Sequence, residues 1–123
     1  MSEVRKHMIF HGRVQGVGFR YTAKYLARSM NLTGWVKNEY DGTVVMEVQG
    51  RETLIFELMK GLNRNQFIQI NWIDTEEMEP ELFAGKPGFN CALPSIHGVP
   101  PFVLLSRTGI YKRYNGRLPA AEK

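Results

Sequence analysis

The segment "GRVQGVGFRY", residues 12–21, combines residue types that could bind an anion. Gly16 and Gly18 are free to adopt positive φ angles, so a short loop around them can turn several backbone N–H groups toward one point. Such a nest would continue into the N-terminus of a helix beginning near Phe19. Arg20 stands in the first turn of that helix, where a cation is unfavourable because the helix dipole is positive there. A bound anion would offset this cost, and the guanidinium fork could bind two of its oxygens.

Two alternatives stay open for these residues taken alone. A plain tight turn explains the glycines about as well as anion binding does, and Thr22 could cap a helix that begins slightly later. Two familiar nucleotide-binding patterns are excluded. Tyr21 stands where a dinucleotide loop needs its third glycine, and Val17 stands where a P-loop starting at Gly12 needs one.

A second polar residue, Asn38, stands before the turn-forming "EYDG". Its amide could accept a hydrogen bond from water through oxygen and donate to a phosphoryl oxygen through nitrogen. Asn is also common where a strand enters a turn, which is the better explanation of Asn38 taken alone. His7 and His11 are four residues apart on one predicted strand, about 13 Å, which is too far to share a metal ion.

The elements that would position these residues are predicted from hydrophobic periodicity and turn signals. The order is strand, helix, strand, strand, helix, strand. It is typical of an α+β, ferredoxin-like βαββαβ sandwich, in which an antiparallel sheet carries two helices on one face. The predicted elements are a strand at 4–14, a helix at 19–30, a hairpin at 34–50 around Tyr40-Asp41-Gly42, a helix at 51–63 and a strand at 68–79.

The last strand and the C-terminal segment show less hydrophobic periodicity, so they are predicted mainly from turn residues and prolines. Residues 88–93, "GFNCAL", are the best candidate for the last strand because they follow the turn-like "AGKPG". We therefore expect one domain at 1–93 and a basic, Pro-containing extension at 94–123. Three prolines in its first eight residues argue against regular structure in this extension, although "FVLLS", 102–106, could form a short edge strand.

Composition limits the function classes. The chain has 123 residues, of which 43% are hydrophobic, enough for one core. Its net charge of +4 arises in the extension, which could attract polyanions weakly, but we expect no nucleic-acid partner. The only cysteine, Cys91, cannot form an intramolecular disulfide, and no apolar run is long enough to span a membrane. We expect a cytoplasmic protein without membrane association, redox chemistry or structural zinc.

Residues 12–50 resemble the signature of the acylphosphatase family over nearly their whole length. Both characteristic blocks, "GRVQGVGFR" and "GWVKNEYDGTV", are present in the family's order and spacing, and the likeness continues more weakly to about Pro80. The family has a small βαββαβ fold, which agrees with the one predicted from periodicity. The resemblance implies hydrolysis of the carboxyl–phosphate bond of small acyl phosphates to carboxylate and inorganic phosphate, without a metal or other cofactor.

The resemblance also implies a role for each matching residue. The phosphate-binding loop would consist of Gln15, Gly16, Val17, Gly18, Phe19 and Arg20. Arg20 and the loop amides would hold the phosphoryl group, and Asn38 would orient the attacking water. The chain departs from the family pattern after Phe89, where about thirty further residues follow. We expect a monomer.

Two other functions remain as alternatives. A βαββαβ sheet can present aromatic side chains to single-stranded RNA, but no RNP1-like block occurs in the sequence. An inactive phosphate sensor would keep the loop without turnover, and the intact Arg20 and Asn38 argue against it.

Overall fold

A computed structural model describes residues 3–81, 88–94 and 111–114, with only the backbone described at 111 and 112. Eight elements follow one another along these ranges. They are β1 (Val4–Arg13), α1 (Phe19–Ser29), β2 (Thr33–Asn38), β3 (Val44–Gly50), α2 (Glu52–Arg64), β4 (Gln69–Met78), β5 (Phe89–Cys91) and β6 (Tyr111–Tyr114).

The six strands form one sheet in the order β5-β2-β3-β1-β4-β6. The predicted α+β, ferredoxin-like order of elements is confirmed, and the "GFNCAL" segment supplies β5. One pairing differs from the fully antiparallel sheet that was predicted, because β5 runs parallel to β2. The reason is topological. β4 is antiparallel to β2, so the last residue of β4 and the first residue of β2 lie at the same end of the strands. The chain therefore enters the position beside β2 from the end where β2 begins, and β5 runs in the same direction as β2.

Both helices pack on one face of this sheet, each through an apolar stripe. The core also contains the alternate residues Met8 and Phe10 of β1 and Met46 and Val48 of β3. No helix in the described ranges is long and apolar enough to cross a membrane. The buried helix residues are Phe19, Ala23 and Ala27 of α1 and Ile55, Phe56, Leu58, Met59 and Leu62 of α2.

A left-handed residue ends α1 and turns the chain into β2. Asn31 has a φ of 60°, a conformation that Asn tolerates better than most residues. The Leu32 N–H donates to the Ala27 carbonyl at 2.9 Å, and the Asn31 N–H donates to the Arg28 carbonyl at 3.1 Å. This pair of bonds is a Schellman motif, so the end of the helix is stabilised by its own backbone.

The sheet face opposite the helices carries buried charges. Arg5 is 3% exposed and donates from Nη2 to Glu47 Oε1 at 3.0 Å. His7 Nδ1 lies 3.0 Å from Glu47 Oε2, and His11 Nε2 lies 3.0 Å from Asp74 Oδ2. Each histidine therefore contacts a carboxylate on a neighbouring strand.

The edge strand β6 comes from the predicted extension, so the expectation of no regular structure there is wrong at Tyr111–Tyr114. The ten-residue β4 offers a long row of backbone groups, and β6 pairs with it. Arg113 donates to both carboxylate oxygens of Asp74, at 2.5 and 3.1 Å. The segment 102–106 lies outside the described residues, and the division of the chain after residue 93 stays a prediction.

The first test concerns Glu47. Burial would raise the pKa of this carboxyl group, but hydrogen bonds and charge from His7 and Arg5 lower it overall from its ordinary value of 4.5. Because the folded-state pKa is the lower one, the stabilisation is present above pH 4.5 and is lost as the pH falls below it. We expect Glu47→Gln to lower the free energy of unfolding by about 1–3 kcal/mol at pH 7. The difference in the free energy of unfolding between wild type and Glu47→Gln should become smaller as the pH falls below 4.5.

Urea unfolding of wild type and Glu47→Gln, at pH 7 and at acid pH, measures this free-energy difference and its dependence on pH. Glu57→Gln is the matched control, because Glu57 is exposed and its ion pair with Lys60, at 3.7 Å, lies on the surface of α2. The control should change stability by less than about 0.5 kcal/mol. Equal effects of the two substitutions would contradict the assignment of a stabilising buried network to Glu47.

Candidate active site

The start of α1 is built by two glycines. Gly16 and Gly18 have φ angles of 74° and 81°, in the left-handed region that favours glycine. Gly18 is the N-cap, and the Thr22 N–H donates to its carbonyl at 2.9 Å, so the alternative of a later helix capped by Thr22 is wrong. No side chain caps this helix, and its first turn contains no acidic residue. The amides that precede Thr22 therefore carry positive partial charge without a side-chain acceptor.

Gln15 ties the glycine loop to the β2–β3 turn. Its Nε2 donates to the carbonyl oxygens of Glu39 at 2.7 Å and Thr43 at 2.8 Å. The turn itself is held by Asp41, whose Oδ1 accepts bonds from the Thr43 N–H at 3.0 Å and the Thr43 hydroxyl at 2.6 Å. The Gln15 side chain thus fixes the distance between the loop and the strand that carries Asn38.

Two apolar side chains hold the loop on the core. Phe19 is 2% exposed, and its ring packs against Phe10 with the centroids 4.8 Å apart. Val17 is half-buried against the same core and lines a second cavity, which it shares with Arg13 and Phe67. The Phe19 ring is therefore part of the core, and Phe19 contributes its backbone to the start of α1.

A pocket of about 270 Å³ contains both predicted functional side chains, Arg20 and Asn38. Within residues 3–81, 88–94 and 111–114, neither the Arg20 guanidinium nor the Asn38 amide has a protein hydrogen-bond partner. Both groups are therefore available to a ligand. The lining residues are Val14, Gly16, Gly18, Phe19, Arg20, Tyr21, Asn38 and Cys91.

Three lining residues were not predicted: Val14, Tyr21 and Cys91. Tyr21 could have been expected to line the pocket, because it directly follows Arg20 in the first turn of the predicted helix. Nothing in the sequence signals Cys91, because β5 reaches the pocket only through its parallel pairing with β2. In that pairing Cys91 lies opposite Val36, two residues before Asn38.

The electrostatics of the pocket suit a phosphoryl group. Arg20 and the positively polarised start of α1 contribute to its lining, and no carboxylate is among the described residues that line it. Oxygen atoms carrying negative charge can accept hydrogen bonds from backbone amides and from a guanidinium at the same time. Asn38 adds an amide that can both donate and accept, which suits a water molecule held next to a bound phosphate.

Comparisons with known proteins agree with this arrangement. An acylphosphatase of Geobacillus kaustophilus (strain HTA426) is 61% identical over 51 residues, which span 42% of this chain and only 54% of that relative. An acylphosphatase of Clostridium perfringens (strain SM101 / Type A) is 45% identical over 76 residues, covering 61% of this chain and 85% of the relative. The crystal structure of acylphosphatase from Bacillus subtilis is 31% identical, with a TM-score of 0.64, and the match covers 72% of this chain and 98% of that one.

The family model for Acylphosphatase matches residues 6–89, which contain the glycine loop, Arg20, Asn38 and the first residue of β5. This match covers more than half of the chain. The protein is therefore a member of the acylphosphatase family.

Proposed function

We propose that the protein is a metal-independent acylphosphatase that hydrolyses small acyl phosphates to a carboxylate and inorganic phosphate. The observation that carries the proposal is that one pocket is lined by Arg20, Asn38 and the uncapped start of α1. Membership of the family supports the same activity. The expectations of a monomer and of a cytoplasmic location stay predictions.

The chemistry demands little of the protein. An acyl phosphate is a mixed anhydride, and its carboxylate is a good leaving group. A strong nucleophile and a general acid are therefore unnecessary, and positioning with charge stabilisation is sufficient. This matches a pocket lined by a guanidinium, an amide and glycine backbone.

The phosphoryl group binds at the loop formed by Gln15, Gly16, Val17, Gly18, Phe19 and Arg20. Backbone N–H groups of this loop and of the first helical turn donate to the phosphoryl oxygens, and the helix dipole favours their negative charge. The Arg20 fork donates to two of these oxygens. These donors are fixed before substrate binds, so they stabilise the charge of the transition state without reorganisation.

Asn38 orients the attacking water. Its carbonyl oxygen accepts a hydrogen bond from the water, while its NH₂ group donates to a phosphoryl oxygen. A bond then forms between the water oxygen and phosphorus as the bond from phosphorus to the acyl oxygen breaks. The electron pair leaves with the carboxylate, and the proton of the water passes to the phosphate product or to solvent.

The RNA-binding alternative finds little support on the sheet. The face of Trp72 is covered by His11, stacked at 4.6 Å between centroids, and by the Arg113 guanidinium at 5.2 Å. The Lys37 ammonium lies 5.0 Å from the centre of the Trp35 ring. Both indole rings are therefore occupied by contacts within the chain, whereas RNA-binding sheets need aromatic faces free for bases.

The direct test is hydrolysis of benzoyl phosphate in the presence of EDTA. We expect wild-type turnover to persist in EDTA, and Arg20→Ala to lower kcat/KM by at least about 10²–10³-fold, as loss of a preorganised donor does elsewhere. Asn38→Ala should lower kcat by a similar factor with a smaller effect on KM, because it orients water more than it binds substrate.

Arg64→Ala is the matched control for Arg20. Arg64 is an exposed arginine in the last turn of α2, and it does not line the pocket. Its loss should leave turnover unchanged, and circular dichroism should show that all variants are folded. Absence of turnover by folded wild type would refute the proposed activity, as would full activity of Arg20→Ala.

A further test addresses Gln15 as a positioning residue. Gln15→Met keeps the length of the side chain but removes both donors to the β2–β3 turn. We expect kcat to fall about ten-fold or more and inorganic phosphate to inhibit less strongly, because small displacements of a catalytic loop are costly. Gln15→Lys, which can donate to the same carbonyls, should recover part of the loss. A lowered melting temperature with unchanged kcat would indicate a purely structural role.

A further inference from the structure

The solvent-facing side of α1 carries two parallel rows of chemically distinctive side chains. Arg20, Lys24 and Arg28 follow one another at intervals of four residues, and Tyr21 and Tyr25 repeat the same interval. Such spacing places the members of a row about one helical turn apart. Tyr21 is 82% exposed and Tyr25 is 73% exposed, so both rings face solvent.

This row of cations is unfavourable for the helix by itself. Like charges four residues apart repel each other, and Arg20 also opposes the helix dipole. The sequence of α1, "FRYTAKYLARS", contains no acidic residue that would compensate. Within the described part of the chain Lys24 has no ion-pair partner. The arrangement would be stabilised by an anionic ligand lying along the helix.

The side chains border a groove of about 540 Å³, the α1 groove, lined by Tyr21, Lys24, Tyr25, Arg28 and Ser29. Tyr21 lines both this groove and the candidate active site, so the two spaces are neighbours. At the far end Arg28 is held in place, because its Nε donates to the Phe89 carbonyl at 3.0 Å and its Nη2 donates to Asn90 Oδ1 at 3.1 Å.

We propose that the α1 groove is the acyl subsite of this enzyme, and that it selects aromatic acyl phosphates carrying a second anionic group remote from the phosphate. This inference rests on the proposed function. The phosphoryl group lies at the helix start, the aromatic part of the acyl group packs on Tyr21 and Tyr25, and the second anion pairs with Lys24. Lys24 is about 6 Å from Arg20 along the helix axis, which is the scale of a substituted benzoyl group.

The test compares three substrates in EDTA at low ionic strength. Acetyl phosphate has no group that reaches the groove and reports the basal activity. Para-carboxybenzoyl phosphate and para-carbamoylbenzoyl phosphate are close in shape and differ in the charge of the remote group. We expect wild type to prefer the carboxylate in kcat/KM by about 1.5- to five-fold, the range that an exposed ion pair gives, and we expect this preference to arise from a lower KM.

Two groove variants and one control separate the contribution of the Lys24 charge from that of the Tyr25 ring. Lys24→Gln should abolish the preference for the carboxylate, and Tyr25→Leu should lower kcat/KM about two- to ten-fold for both benzoyl substrates. Neither variant should alter acetyl phosphate turnover. Arg13→Gln removes a cation from the second cavity, which Arg13 lines with Val17 and which shares no described lining residue with the α1 groove, and it should retain the carboxylate preference.

The outcomes distinguish this inference from the proposed function. An unchanged carboxylate preference in Lys24→Gln, or its loss in Arg13→Gln instead, would overturn the subsite while acetyl phosphate turnover continued to support the enzyme. Absence of hydrolysis of all three substrates by folded wild type would refute the proposed function itself. Loss of the preference in Lys24→Gln alone would support the subsite.

Discussion

The amides at the start of α1 impose the constraint on which the site depends. A helix leaves its first N–H groups without intrahelical acceptors, and here neither a capping side chain nor an acidic residue compensates them. The chain must also pass from β1 into α1 within five residues. Left-handed glycines at 16 and 18 make that passage possible, and both line the pocket that contains Arg20 and Asn38.

The contacts around the loop turn this local feature into a rigid site. Phe19 anchors the helix start on Phe10 in the core, while Gln15 bonds to two carbonyls of the β2–β3 turn. One side chain thus sets the spacing between the backbone amides of the glycine loop and the strand end that carries Asn38. Rigidity matters here because the proposed chemistry relies on positioning and fixed charge, with no covalent role for a side chain.

The buried ion pairs on the sheet face opposite the helices fix the register of the strands that lead to the site. Arg5 of β1 and Glu47 of β3 are buried charges that pair across the two strands, and His7 also contacts Glu47. A slip of register by one residue would leave these charges buried without partners, which is costly. The network therefore favours a single register for β1 and β3. β1 ends at the glycine loop, and β3 begins at the β2–β3 turn.

Most of the fold was predictable because local sequence reports local conformation. Apolar spacing indicated both helices and four strands, the glycines indicated positive φ angles, and the resemblance of residues 12–50 to a family signature pointed to Arg20 and Asn38. The parallel pairing of β5 and the addition of β6 were not predictable from these patterns. Partners far apart in sequence are chosen by packing and by the direction in which the chain returns to the sheet.

The sequence by itself determined the chemical types present: a glycine loop, a cation at a helix start, an amide at a strand end and a row of cations and tyrosines along α1. The tertiary structure decided which of them meet. It showed that the Gln15 side chain contacts backbone carbonyls and that Cys91 reaches the pocket, and it made the α1 groove a neighbour of the site. Periodicity and turn chemistry describe one element at a time, whereas these contacts join elements through the sheet.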